Sequence, residues 1–279
     1  MLIPPTEAEI VASIRTHRWR QGSVLPSTLH EAVSLRPGVV PARYDDRLVV
    51  LSHDCDLVHP KLSGEPWVDV LRMQPVAKLD PMRAHLRNPR WLHLAQQLAG
   101  GEPIVLEAHA ADRGGLAREA LATAPPSVEL VIDPRGVREV MDWLARRLDR
   151  SAFPDGFVER LAPSRRAFRD LFAAVVDDVR DVYLRLESWD ELPLNQAYGV
   201  HVRVIVEPEA ARDVIRQRRV DRAFYDPLIE QLASIEGIEV RSHQPLVPVQ
   251  FSLADLAEYA RIDFDIDLSY RDNTGPFSA

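Results

Sequence analysis

The apolar run Leu48-Val49-Val50-Leu51 leads without a break into Ser52-His53-Asp54-Cys55-Asp56. Consecutive apolar residues of this kind read as a buried β-strand, here spanning 48–58. Side chains alternate along a strand, so this reading puts Asp54 and Asp56 on one face and His53 and Cys55 on the other. Two neighbouring carboxylates at the end of a buried strand repel each other and lose hydration, and both effects oppose ionisation. Asp54, Asp56 and His53 are therefore the candidate catalytic residues. One carboxylate would act as general base while the other, still charged, stabilises the sugar cation that forms as a glycosidic bond breaks. The same pair also suits a divalent metal through oxygen ligands. As a structural pair, one Asp would cap a turn and the other would face solvent.

Cys55 is the single cysteine, which rules out an internal disulfide and a multi-cysteine zinc site and suits a reducing cytoplasm. It is either a small buried hydrophobe or a nucleophile served by His53, His59 or a histidine distant in the chain. Residues 1–6 lack the basic and apolar regions of a signal peptide, and no run reaches membrane-spanning length. A cytoplasmic protein with no membrane partner is expected.

The rest of the chain mixes strand and helix signals without a regular βαβ rhythm, so the expected class is α+β, with mixed sheets flanked by amphipathic helices. Thr6 and Glu9 have capping-box spacing ahead of Ile10, Val11 and Ile14, and Gly22 marks a turn. Turns and short strands are expected over 24–47 and strands at 67–71, 103–107 and 127–132. Helices should follow at 137–148 and through Phe168, Leu171, Phe172, Val175, Val176 and Val179. The pattern lapses at 186–197. That places a main domain at 1–190 and a C-terminal α+β segment at 191–279, either separate or packed into the same domain. In the latter, Val200, Val202, Val204 and Val206 alternate as a strand, helices are expected at 208–219 and 221–235, another opens at Ser252, and a last strand covers 262–270.

The net charge of −8 argues against nonspecific coating of nucleic acid but leaves room for a local basic groove. All but two of the 34 basic residues are arginine, a composition that codon usage explains and that also suits phosphate recognition. Arg212, Arg216, Arg219 and Arg222 are spaced by four, three and three, which aligns them along one helix face as a phosphate-tracking stripe, or as a solvated face paired with Asp213 and Asp221. Arg83, Arg87, Arg90 and Trp91 form a second basic patch whose aromatic would stack on a base, or turn into the core. Asp263, Asp265 and Asp267 alternate with Phe264, Ile266 and Leu268, so a carboxylate face there would either be solvated or meet Asp54 and Asp56. There is no H-E-x-x-H, EF-hand loop, Walker loop or G-x-G-x-x-G, and Gly114-Gly115 alone makes no nucleotide motif. No metal and no cofactor are expected.

Three pieces together, Arg20-Gln21-Gly22-Ser23-Val24-Leu25, Leu51-Ser52-His53-Asp54-Cys55-Asp56 and Asp263 through Tyr270, resemble a family of largely uncharacterised bacterial proteins with an R-Q-G segment followed by S-x-x-C-D. Phe153-Pro154-Asp155-Gly156-Phe157 is similar to a further piece of such proteins. The resemblance implies a place among bacterial mobile and anti-phage regions, and through it a nucleic-acid partner, phage DNA above all. The expectation is a DNA glycosylase-like hydrolase carried by Asp54, Asp56 and His53, with Arg87, Arg90, Trp91, Arg212, Arg216 and Arg219 on the nucleic acid. The alternatives are a metal-dependent nuclease or phosphohydrolase and a non-enzymatic sensor or adaptor.

Overall fold

The computed structural model describes residues 5–36, 39, 43, 45–148 and 153–262 and shows an α+β fold. The chain divides into two compact units, Met1–Leu148 and Asp149–Ala279. The boundary expected near residue 190 lies inside the second unit, in the connection between two adjacent antiparallel strands.

The first unit opens with α1 (Glu7–Thr16), whose Thr6–Glu9 capping box is formed in both directions. Short β1 (Ser34–Leu35) and β2 (Arg47–Val50) follow, then a single helical turn, α2 (Asp54–Leu57). Three longer strands come next: β3 (Trp67–Val76), β4 (Trp91–Gln97) and the fifteen-residue β5 (Pro103–Ala117). Helix α3 (Pro134–Leu148) closes the unit. The sheet is antiparallel in the order β1-β5-β3-β2, with β4 also on β5. No strand spans 127–132; that segment forms only isolated bridges, Val131 to Ser23 and Leu130 to Leu98.

Both faces of this sheet are covered. Leu48, Val50, Val68, Val70 and Leu116 pack with Ile10, Ile14, Trp19 and Leu57 on one side. Val49, Leu71, Met73, Leu92 and Leu106 pack with Val140, Trp143 and Leu144 of α3 on the other. Burial on both faces is the physical reason β2 reads as an unbroken apolar run instead of an alternation. Between β3 and β5 the register jumps from Leu71↔Arg113 to Met73↔Ala108, so β5 bulges through His109–Asp112. The bulge brings Asp112 to within 2.6 Å of Arg72, a nearly buried guanidinium.

The second unit begins with α4 (Asp155–Leu161) and α5 (Arg165–Ala174), followed by β6 (Val179–Leu186) and β7 (Tyr198–Val206). Helices α6 (Pro208–Arg212), α7 (Val214–Val220) and α8 (Asp226–Ala233) cross over to β8 (Ile238–Leu246), parallel to β7. Helix α9 (Leu253–Glu258), capped by Ser252 as expected, and β9 (Ala260–Arg261) follow, giving the order β8-β7-β6-β9. The helix expected to run to Val179 stops at Ala174, and Val179 instead starts β6.

Gly22 has φ +82° beside β2, and a Cβ there would collide with the side chain of Val137 on α3. Gly22→Ala is therefore expected to lose about 2 kcal/mol of stability by left-handed strain and overpacking, read as a lower denaturant midpoint at an unchanged slope.

Candidate functional site

The strand expected over 48–58 ends at Val50, and a turn replaces its second half. Leu51 N–H still donates to Asp69 O (2.8 Å), but at the next position the Ser52 hydroxyl accepts the Asp69 N–H (2.9 Å) and ends the ladder. His53 then caps the one-turn helix α2, its Nδ1 accepting from Cys55 N–H (3.4 Å) and lying 3.1 Å from Cys55 Sγ. A bond from that N–H leaves Nδ1 bare and places the neutral ring's proton on Nε2. Successive helical residues turn by about 100°, so Asp54 and Asp56 do not share a face as strand alternation requires. His53, Asp54 and Cys55 are exposed and Asp56 is half-buried, so these carboxylates are not a buried pair.

Two sequence segments thirty residues apart build this turn together. Gln21 N–H donates to Asp54 Oδ1 (2.7 Å), and Gln21 Nε2 donates to Leu51 O (2.7 Å). Gly22 N–H donates to Val50 O (2.9 Å), and Val50 N–H to Ser23 O (2.8 Å). The Arg20-Gln21-Gly22 segment thus splints the strand that carries the Ser52–Asp56 segment.

The far side of the turn is held by Arg118, which follows β5 and is fully buried. Its Nη1 donates to Asp56 O (2.7 Å) and His59 O (2.9 Å), and its Nη2 to Lys61 O (2.8 Å). Burial pushes its pKa down, while Glu65 and Glu7 oppose that shift. Carbonyl dipoles, not a carboxylate, compensate this buried charge. Sequence inspection missed Arg118, because no local pattern marks one arginine among many as a backbone clamp.

Cys55 Sγ donates to Asp56 Oδ1 (3.3 Å). That bond raises the thiol pKa, with burial and the Asp56 charge adding to it. The environment is the reverse of the electropositive one that activates a nucleophilic cysteine. Among the described residues no group of three or more His, Cys, Asp or Glu is placed to hold a metal ion. Asp263, Asp265 and Asp267 lie outside the described residues.

The basic candidates fall in both units. Trp91 opens β4 with Arg83 4.9 Å over its ring and His109 4.5 Å away, so its neighbours come from its own unit. Arg83 also pairs with Glu107, which accepts from buried His93 Nε2 (2.8 Å). Arg87 Nη1 donates to Pro81 O (3.1 Å), and the Arg90 and Trp91 N–H groups donate to Asn88 Oδ1. The expected continuous stripe of Arg212, Arg216 and Arg219 is broken. Arg212 ends α6, and Asp213 caps α7. Arg216 and Arg219 both turn onto the fully buried carboxylate of Asp178. Their first task is to neutralise that charge, since a lone buried carboxylate is prohibitively unfavourable. In the Phe153–Phe157 segment, Asp155 and Gly156 N–H groups donate to Glu191 at the start of α4, and Phe153 stacks on Trp189.

Comparison with protein-family models, curated proteins and solved structures gives no match to this chain. No helix among the described residues is long and apolar enough to cross a membrane.

Arg118→Ala is expected to lower stability by about 3 kcal/mol, since it removes the shared donor of the Asp56, His59 and Lys61 carbonyls and leaves a cavity; Arg118→Lys should recover only part, because one ammonium cannot reproduce the spread of the guanidinium. For Cys55, a raised pKa means less thiolate at pH 8 than in a free cysteine. Asp56→Ala removes the largest cause, so alkylation by iodoacetamide at pH 8 should quicken, the gain in thiolate outweighing its reduced intrinsic nucleophilicity.

Proposed function

We propose that this protein hydrolyses a glycosidic bond in a nucleic acid or nucleotide at the His53–Asp56 turn. The observation that carries the reading is the way the turn is held. Gln21, Ser52 and buried Arg118 tie the turn to its surroundings, while the His53 ring and Asp54 are exposed and Asp56 is half-buried. Reacting groups gain most from such preorganisation.

In this reading Asp54, oriented by the Gln21 N–H, sits against the sugar as positive charge develops. Asp56 takes the proton of the attacking water as the sugar–base bond breaks; the base leaves with that bond's electron pair, accepts a hydrogen bond from the neutral His53 Nε2–H, which keeps its proton, and is protonated by solvent. The bond is inaccessible inside a duplex, so the substrate is a single strand, a flipped nucleotide or a free nucleotide. The resemblance adds phage DNA with modified bases, and a role in defence, to the substrates worth testing.

Mass spectrometry of products from DNA, RNA, modified phage DNA and free nucleotides, each with and without chelator, tests the reading. Released free base, insensitive to chelator and lowered about 100-fold or more by Asp54→Asn or Asp56→Asn in folded protein, is expected. Full activity in both variants overturns it, and metal-dependent chain cleavage replaces it with a nuclease.

A further inference from the structure

Beside the turn, one face of the first sheet opens into a cleft of about 360 Å³, lined by Trp67, Asp69, Arg113, Gly115 and Arg36 among others. That volume lies within the range of about 300–1,000 Å³ typical of small-molecule sites.

Strand register explains the cleft. Gly115 pairs with Ser34 on one side and Asp69 on the other, and Ala117 pairs with Trp67. Arg113 pairs with Leu71, and its carbonyl accepts the Arg36 N–H (3.0 Å). Paired residues of an antiparallel sheet point to the same side. Gly115 therefore forms a bare floor between Trp67, Asp69 and Arg113, with Arg36 across the edge. A Cβ on Gly115 would stand 3.1 Å from Val68 O and 3.8 Å from the Trp67 ring, so the glycine keeps this space open.

The lining is chemically unspent. Trp67 is 58% exposed, unlike Trp19 and Trp143, which are buried in the core. Buried Arg113 Nε has no hydrogen-bond partner, and among the described residues neither Arg36 nor Arg113 makes an ion pair. Burial and the charges of Arg36 and Arg147 push the Arg113 pKa down, while Asp69 opposes that. Two cations against one carboxylate, Asp69, with which neither forms an ion pair, suit an anion with several oxygens. An exposed indole beside them suits a flat ring.

We infer that this cleft binds a nucleotide, with Arg36 and Arg113 on the phosphate, the base against Trp67, and Asp69 accepting from a base or sugar donor. Asp69 also joins the cleft to the proposed reacting turn, because its N–H and C=O bond Ser52 and Leu51. The inference deepens the hydrolase reading by naming the place where its substrate is held, and it rests on that reading only for the chemistry after binding.

Isothermal titration of the full chain with a nucleoside 5′-monophosphate, the parent nucleoside, inorganic phosphate and a short single-stranded oligonucleotide is the test. Saturable binding of the monophosphate or the oligonucleotide is expected, the tighter of the two showing whether a free nucleotide or a strand is the source. Arg36→Ala and Arg113→Ala should each weaken the phosphate-bearing ligand about ten-fold and change the nucleoside less than about two-fold. Trp67→Ala should weaken both about ten-fold. Arg36 and Trp67 are exposed, so their variants keep the test valid if Arg113→Ala misfolds. Inorganic phosphate binding as tightly as the monophosphate, no saturable binding in any arm, or unchanged affinity in the Arg36 and Trp67 variants overturns the inference. Nucleotide binding without base release overturns the hydrolase reading alone. Base release undiminished in the cleft variants overturns the cleft alone.

Discussion

A positive charge held in the interior organises the first unit. Arg118 follows the longest strand, and its guanidinium reaches the carbonyls of Asp56, His59 and Lys61, a segment that has already left the sheet. A charge with no water around it is tolerated only where dipoles surround it, so these carbonyls and the cation need each other. The coupling is reciprocal. The cation orders a segment that has only one helical turn of its own, and the segment makes the cation's burial acceptable. The chain at Ser52–Asp56 is thereby held both by Arg118 and by Gln21, while His53, Asp54 and Cys55 stay exposed.

The second unit meets the same constraint with opposite sign. Asp178 is a fully buried carboxylate, and Arg216 and Arg219 close on it from α7. A basic stripe read on a helical wheel as a surface for phosphates is in part the counter-charge of an interior anion. A wheel shows which residues share a face but not what lies beneath it, and here what lies beneath is Asp178, in the turn just before β6, about forty residues earlier. Trp91 teaches the same lesson, since Arg83 and His109 already flank its ring, while Trp67 stands exposed at the cleft.

Much of the fold was legible where local chemistry dominates. The Thr6–Glu9 box, the Gly22 turn, the amphipathic α3, the alternating β7 and the Ser252 cap all appear as read. Strand ends were not legible. β2 stops at Val50 because the Ser52 hydroxyl takes the next ladder bond from Asp69 N–H, and a serine after an apolar run carries no sign of that until its partner strand is in place. The error spread, since continuing the strand put Asp54 and Asp56 on one face and suggested a buried, repelling pair, while the turn puts them on different faces, Asp54 exposed and Asp56 half-buried. The cleft was half legible. Trp67 and Asp69 alternate outward from Val68 and Val70, but Arg113, Gly115 and Arg36 join them only through register across β3, β5 and β1.

The sequence by itself determined the α+β class, the covering of β2 on both faces and the closeness of His53, Asp54, Cys55 and Asp56, since periodicity and chain neighbourhood are local properties. Only the tertiary structure decided where β2 ends, that Gln21 and Arg118 hold the turn, and that Arg216 and Arg219 answer to Asp178. Those outcomes depend on groups distant in the chain, and a buried charge or an open hydrogen bond selects its partner by position in space.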